Sequence, residues 1–386
     1  MNGGRRYGIL ASSLLMQLCL GATYSWSVFV APLREHTGLS QATVQLPFTA
    51  FYFAFPLTML FAGTLLQRFG PRACALLGGT VFGCGWALAF LGSEFFFLVV
   101  VGIGLLSGVG VGLAYMVPIA VLVRWFPRHK GLVTGFAVVG FGGGAALLSQ
   151  IAGRLISSGA FSPFQTFGIL GGAFFAIITL AGCFMQFPPT EHRQAPAPIT
   201  SREIMKRKEF RFLYGCMTVA LAGGFAVNAN LKELHAGGAA EAGLIAVGVF
   251  AIANACGRLL WGFVFDRFAS WSVIQANLIG QALLLFTAGL WLNSETGFLV
   301  FSAIAGLNYG GVLVIYASAV VREWGAERVG QVYGLLFSAN IVASPASMLA
   351  GLWFDIRGDF LVPLALLAAG MIVAVGVLRS SKAAHS

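Results

Sequence analysis

Apolar runs about as long as a bilayer is thick recur from one end of this chain to the other, and they leave few architectures open. About 20 apolar residues in helical form cross a hydrocarbon core about 30 Å thick. Inside that core no water is available to backbone N–H and C=O groups, so only helices and closed barrels are viable. The runs here are continuous rather than alternating in polarity, which points to helices and not to barrel strands. Twelve spans are expected, near residues 7–33, 41–67, 72–92, 95–123, 131–157, 164–187, 210–234, 240–265, 270–292, 296–321, 328–354 and 360–379. With 9% charged and 58% hydrophobic residues, against about 25% charged in a soluble globule, a soluble enzyme or scaffold is excluded.

The net charge of +10 does not imply nucleic acid, because the basic residues lie in short loops between apolar spans. If the spans alternate, eighteen of the 23 Lys and Arg residues fall on one side, among them Arg5, Arg6, Arg68, Arg72, Arg124 and Arg322. The opposite side keeps Arg34, Arg154, Lys232 and Arg357. By the positive-inside rule both termini are then cytoplasmic, in a multi-pass protein of the inner or plasma membrane. An even number of spans is required for this agreement. Arg5 and Arg6 precede an apolar run longer than a signal core, so the first run is expected to stay as span 1. The six cysteines, Cys19, Cys74, Cys84, Cys183, Cys216 and Cys256, fall in apolar spans without metal-type spacing and are expected to act as small core hydrophobes.

The two halves repeat one another at an offset of about 199 residues. The run Gly63, Gln67, Arg68, Phe69 after span 2 matches Gly262, Asp266, Arg267, Phe268 after span 8. Arg124, Gly131 and Gly135 match Arg322, Gly330 and Gly334, and Gly153, Gly159 and Phe161 match Gly351, Gly358 and Phe360. Between the halves lies EHRQAPAPITSREIMKRKEFR, the one long polar stretch. The expected organisation is a six-helix bundle over 1–187, a cytoplasmic linker over 188–209 and a second six-helix bundle over 210–386. Duplication of this kind marks transporters whose two bundles rock about a midplane site.

Arg258 stands in the middle of the apolar run AIANACGRLLWGFVFDRF. A guanidinium at membrane depth costs about 2.5 kcal/mol or more to insert, so such a residue commonly faces a protein-lined cavity and serves a pathway or ligand. Asn254 is one turn earlier on the same face, at the i, i+4 spacing that lets two side chains address one object. All 13 Asp and Glu residues fall in loops or at span ends, from Glu35 to Asp359. Arg258 therefore has no obvious permanent counter-ion, and an anionic substrate would supply one. A structural arginine bonded to carbonyls of a neighbouring helix is the alternative.

Tyr24, Tyr115, Tyr309 and Asn340 lie at matching depth and are the candidate partners, since a phenol joins an apolar face to a hydrogen-bond donor. Asn228 and Asn230 lie nearer the outer end of span 7, and His235 near the outer mouth. No acid–base pair, nucleophilic triad or metal cluster shares a common depth, so neither enzyme activity nor a cofactor is expected. The glycine tracts at 102–112 and 140–144 lack the strand-to-helix context of phosphate loops and permit close helix contact instead. Pro118 and Pro345 are expected to bend spans 4 and 11.

On these residues the whole chain resembles the major facilitator superfamily. GTLLQRFGPR at 63–72 is similar to that family's loop signature, with Gln67 where an acidic residue is usual, whereas the copy after span 8 keeps Asp266. Two branches fit: NACGRLLWGFVFDRF is similar to the span-8 pattern of the monocarboxylate transporters, and YGLLFSANIVASPAS to a segment of the oxalate/formate antiporters. The resemblance implies a carboxylate bound at Arg258. Asn254 occupies the place of the carriers' acidic residue, and Asn340 that of the antiporters' lysine. One cation in place of two suits a singly charged acid. The expected function is a monomeric, proton-coupled carrier of short monocarboxylates such as lactate or pyruvate. The alternatives are an oxalate/formate-type anion antiporter and, in a different class, a transport-inactive membrane receptor.

Overall fold

The computed structural model describes residues 3–126, 130–188, 200–235, 240–325 and 328–383. Residues 189–199 of the interhalf linker, together with Arg128 and Glu327, lie outside the described residues. Every regular element described is helical. Ten helical stretches are long and apolar enough to cross a membrane, and Ser270–Phe286 is a shorter apolar helix. One of the ten, Gln41–Ser93, holds two spans, because its backbone turns at Gly70 with φ 78° and ψ 167°. That conformation is open to glycine, and Pro71 then starts the next helix where its missing N–H costs nothing. The twelve expected spans are thus all present.

Contacts divide the chain into two compact units: Met1–Leu39 with Leu46–Gln194, and Ser40–Gln45 with Ala195–Ser386. In the first unit, span 1 is a helix over Gly3–Leu20, a 3-10 turn over Gly21–Ser25 and a helix over Ser27–Thr37. The turn forms where span 1 meets span 5 backbone to backbone, since a Cβ on Gly21 would overlap the Phe141 carbonyl. Span 4 contains a π segment, Val100–Leu106, followed by Ser107, whose hydroxyl donates to Gly102 O at 3.0 Å. The same span breaks at Tyr115, three residues before Pro118. Proline has no N–H to return to Ala114 O, so the ladder is interrupted there.

In the second unit, spans 8 (Ala240–Arg267) and 10 (Glu295–Trp324) run against each other along a glycine seam. A Cβ on Gly257 would overlap Leu307 O, and Cβ atoms on Gly306 and Gly310 would overlap Phe250 O and Asn254 O. Small residues let helix backbones approach in lipid, where packing replaces the hydrophobic effect. Span 11 is three pieces, Val329–Phe337, Ala339–Ala343 and Pro345–Arg357, with Pro345 opening the last. Arg322 closes the end of span 8, donating to Phe265 O at 2.8 Å and to Phe268 O at 2.9 Å. A cation there satisfies orphan carbonyls and the negative end of the helix dipole.

Two features bear on the sequence expectations. Gly159 and Gly358, matched in the repeat, both take positive φ, at 70° and 77°. The repeat therefore conserves a backbone turn and not merely a composition. The cysteines behave less uniformly than expected: Cys19, Cys74 and Cys216 are buried, whereas Cys84, Cys183 and Cys256 are exposed. Cys84 and Cys256 sit on helix faces turned away from the core, where a thiol is apolar enough for lipid, and Cys183 caps the end of the helix Pro163–Gly182.

The second unit also takes in Ser40–Gln45, which chain order alone would not assign to it. The Asp355 carboxylate accepts from Gln41 N at 2.7 Å and Ala42 N at 2.9 Å, satisfying two donors at the start of the short helix Gln41–Val44. Asn230 Oδ1 accepts from the Gln41 and Gln45 side chains at 2.8 and 3.0 Å. Asn230 Nδ2 donates to Ala226 O and Ser347 O. Two acceptances and two donations use the full capacity of that amide.

Candidate anion site in span 8

Span 8 is apolar on most faces, and the glycine seam against span 10 is what draws its one deep polar stretch out of lipid. Asn254 and Arg258 are 3% and 4% exposed, and Asn254 O lies at the contact with Gly310. Arg258 Nε donates to Asn254 Oδ1 at 3.2 Å. The i, i+4 pair thus meets within its own helix, and the bond fixes the guanidinium plane. With Nε so engaged, a bidentate carboxylate would be received by the Nη1/Nη2 end of the fork.

Tyr309, next to Gly310, is buried and lays its ring over Gly224 of span 7, where any Cβ would collide with it. Phe225 and Phe250 flank that ring at 6.1 and 6.0 Å between centroids. Beside it is a cavity of about 10 Å³ lined by Gly223, Gly224, Phe250, Gln281 and Tyr309, close to the least space that holds a water. Gln281 donates to Asn277 Oδ1 at 3.0 Å and Asn277 donates to Asn308 O at 3.0 Å. This amide ladder runs from the cavity to span 10. Asn340 spends its Nδ2 on Phe337 O of its own span at 2.7 Å. That bond serves the break in span 11.

In the first unit Tyr24 and Tyr115 share one partner. Their rings meet Phe141 edge to face at 5.3 and 5.1 Å. Tyr52 adds a further edge contact to Tyr24 at 6.1 Å, and Phe55 one to Tyr115 at 5.6 Å. Gln17 Nε2 donates to Tyr115 O at 3.1 Å where the helix breaks. The structure therefore brings Arg258, Asn254 and Tyr309 to neighbouring positions in one unit, and Tyr24 and Tyr115 to a common aromatic cluster in the other.

Some members were not legible. Tyr52 lies in a phenylalanine-rich run and Phe141 inside the glycine tract 140–144, with nothing in their spacing to single them out. Trp261 is three residues beyond Arg258; its ring lies against Gly311, and its indole N–H is buried with no acceptor among the described residues. The i, i+3 relation to Arg258 was the available signal. His235 stacks on Phe298 at 5.2 Å, and its Nδ1 is 2.7 Å from Leu292 O. A carbonyl only accepts, so Nδ1 carries the proton. Among the described residues no His, Cys, Asp and Glu group has a metal-binding arrangement.

The family model of the Major Facilitator Superfamily matches residues 13–338. Among curated proteins the chain is 27% identical over 348 residues to the uncharacterised MFS-type transporter YhjX of Escherichia coli, covering 86% of this chain and 84% of that one. It is 27% identical over 354 residues to the oxalate:formate antiporter of Oxalobacter formigenes, covering 89% and 83%. With apicoplast pyruvate carrier 1 of Toxoplasma gondii it shares 24% identity, covering 75% and 65%. Among solved structures, the partially occluded inward-open xylose transporter XylE of E. coli aligns with a TM-score of 0.73 at 13% identity, over 98% of both chains. The transporter FucP in its outward conformation aligns with a TM-score of 0.65 at 14% identity, over 96% and 97%. At such identities the two structures speak for the fold alone.

Proposed function

The chain belongs to the Major Facilitator Superfamily, and from that premise we propose that it carries short monocarboxylates of the lactate and pyruvate type across the membrane together with a proton. The observation that carries this reading is Arg258, a buried guanidinium in an apolar span, held in one orientation by Asn254. A fixed cation out of water favours an anion, and a planar fork favours a carboxylate over a spherical ion. Tyr309, in the same unit as Arg258, offers a phenol on an apolar wall, which suits an acid with a short hydrophobic tail; Tyr24 and Tyr115 offer the same chemistry within the first unit. Relatives named for oxalate, formate and pyruvate bear on small carboxylates generally.

Alternating access around Arg258 needs no residue to change its chemistry: Arg258 keeps its charge throughout, and one proton crossing with one carboxylate makes the net movement electroneutral. Asn254 cannot titrate, so the proton travels with the substrate rather than on that side chain. Uptake of labelled lactate, pyruvate and oxalate into proteoliposomes, with and without an imposed pH gradient, tests the reading. Uptake of lactate or pyruvate that rises with an inward proton gradient is the expected result.

The second reading is an oxalate/formate-type antiporter, favoured by the 27% identity to such a protein. It predicts oxalate uptake only into vesicles preloaded with formate or oxalate. Against it stands Asn340 in the place where the resemblance sets a lysine, leaving a doubly charged anion with one cation.

A further inference from the structure

The basic residues at the ends of the spans are mostly engaged. Arg322 is bonded to carbonyls of span 8. Arg124 lies 3.7 Å from the Phe187 ring centroid and Arg267 3.6 Å from that of Phe263. The approach to span 7 differs. Arg202, Lys206, Arg207, Lys208 and Arg211 fall within ten residues and are all exposed. Among the described residues, no hydrogen bond, ion pair or aromatic face is made by their charged ends.

The local structure keeps these five charges from being cancelled. The two carboxylates among them, Glu203 and Glu209, both sit in the first turn of a helix. Glu203 accepts the Thr200 N–H at 3.2 Å, so its charge is spent on orphan backbone donors. The helix Ser201–Lys206 turns Ile204 inward, 1% exposed, and leaves Met205 49% exposed. Arg202, Met205 and Lys206 stand at i, i+3 and i+4, so one apolar side chain shares a face with two cations. Arg207 is extended, with ψ 133°, and Lys208 at once begins the membrane-spanning helix Lys208–Ala229. The cluster is therefore anchored at the depth where lipid phosphates lie.

We propose that residues 202–211 are a binding surface for anionic lipid headgroups, with the five cations receiving phosphate oxygens and Met205 seated at the upper acyl chain. Basic clusters of this size beside a span attract anionic leaflets, and a methionine flanked by cations meets both parts of a lipid at once. The proposal rests on the protein's place in the membrane and is independent of what it transports.

The test uses the purified full chain in neutral detergent, titrated with phosphatidylglycerol, with phosphatidylcholine or with inorganic phosphate. Lipid retention is read by native mass spectrometry, and melting temperature is read in parallel. The wild type should retain phosphatidylglycerol in preference to phosphatidylcholine and should melt higher with it. Combined Arg202→Gln, Lys206→Gln, Arg207→Gln, Lys208→Gln and Arg211→Gln should weaken that retention by about a hundredfold or more. Arg68→Gln with Arg124→Gln and Arg267→Gln, which removes cations lying on aromatic rings, that of Arg68 being 5.3 Å from the Phe69 ring centroid, should leave it near wild type. If the fivefold variant does not fold, Arg202→Gln with Lys206→Gln, confined to a short exposed helix, should still lower retention severalfold. Equal retention in wild type and both neutralised variants would overturn the proposal. Equal retention of phosphatidylcholine would reduce the surface to apolar contact, and inorganic phosphate raising the melting temperature as much as phosphatidylglycerol would make it a small-anion site; either outcome overturns it.

Discussion

An arginine keeps its charge when buried, so at Arg258 the chain maintains a fixed cation in apolar surroundings. Two charge-assisted hydrogen bonds to a carboxylate, at about 1.5–3 kcal/mol each, set the scale of what the side chain contributes. Arg258→Gln is expected to lower monocarboxylate uptake by about a hundredfold or more without loss of folded protein. Arg258→Lys should be nearly as damaging, because an ammonium cannot present the fork. Labelled-acid uptake in proteoliposomes, beside a melting curve, checks both. Asn254 is the finer probe. Its 3.2 Å bond to Nε orients the guanidinium, and Asn254→Ala frees the plane to rotate. The expected result is an approximately tenfold rise in KM with kcat little changed, corresponding to about 1.4 kcal/mol. Asn254→Asp should raise KM further, since a carboxylate there competes with the substrate for the same cation. A KM in Asn254→Asp below that of Asn254→Ala would mean that position 254 does not act through Arg258.

At the scale of elements, the proposed site depends on how closely spans 8 and 10 approach. Gly310→Ala places a methyl group against Asn254 O and must push the two helices apart, at a cost of about 1–3 kcal/mol for overpacking. Gly172→Ala meets nothing within 4 Å and should be neutral or slightly stabilising, as alanine is the better helix former. Melting curves in detergent should therefore fall for the first and hold for the second, and only the first should lose uptake. Asp355→Ala tests the segment Ser40–Gln45: with two N–H···carboxylate bonds removed, its amides should exchange with deuterium about tenfold faster while those of Lys208–Ala229 are unchanged. Elements of this kind show where a sequence can be read and where it cannot. Span positions were legible because the bilayer imposes a constraint along the chain itself, one that hydrophobic length alone reports. Arg258 was legible because charge at that depth is costly. That Ser40–Gln45 joins the second unit, or that Tyr24 and Tyr115 both close on Phe141, depends on which helix faces meet, and spans apolar on every side do not encode that choice in their periodicity. The 3-10 turn at Gly21–Ser25 is of the same kind, since it answers a neighbouring backbone.

For the whole molecule the question raised by the proposed proton coupling is where that proton would reside. A monocarboxylate carries one negative charge, and one proton makes the crossing electroneutral. Among the described residues few could carry that proton: Asn254 cannot titrate, and the Asp and Glu residues fall in loops or near span ends. His235 is held near a span end, with Nδ1 toward Leu292 O and its ring on Phe298, an arrangement that accounts for the histidine structurally. If the proton moves with the substrate, uptake must increase with acid outside, must be indifferent to membrane potential at constant pH, and must retain its coupling in His235→Ala. Proteoliposomes with independently set pH and potassium–valinomycin gradients separate these terms. Uptake driven by potential alone would show net charge movement and exclude a one-to-one stoichiometry. Loss of pH-gradient dependence in His235→Ala, with uptake itself retained, would place the proton on the imidazole and leave Arg258 as the anion site of a carrier coupled through its own side chain.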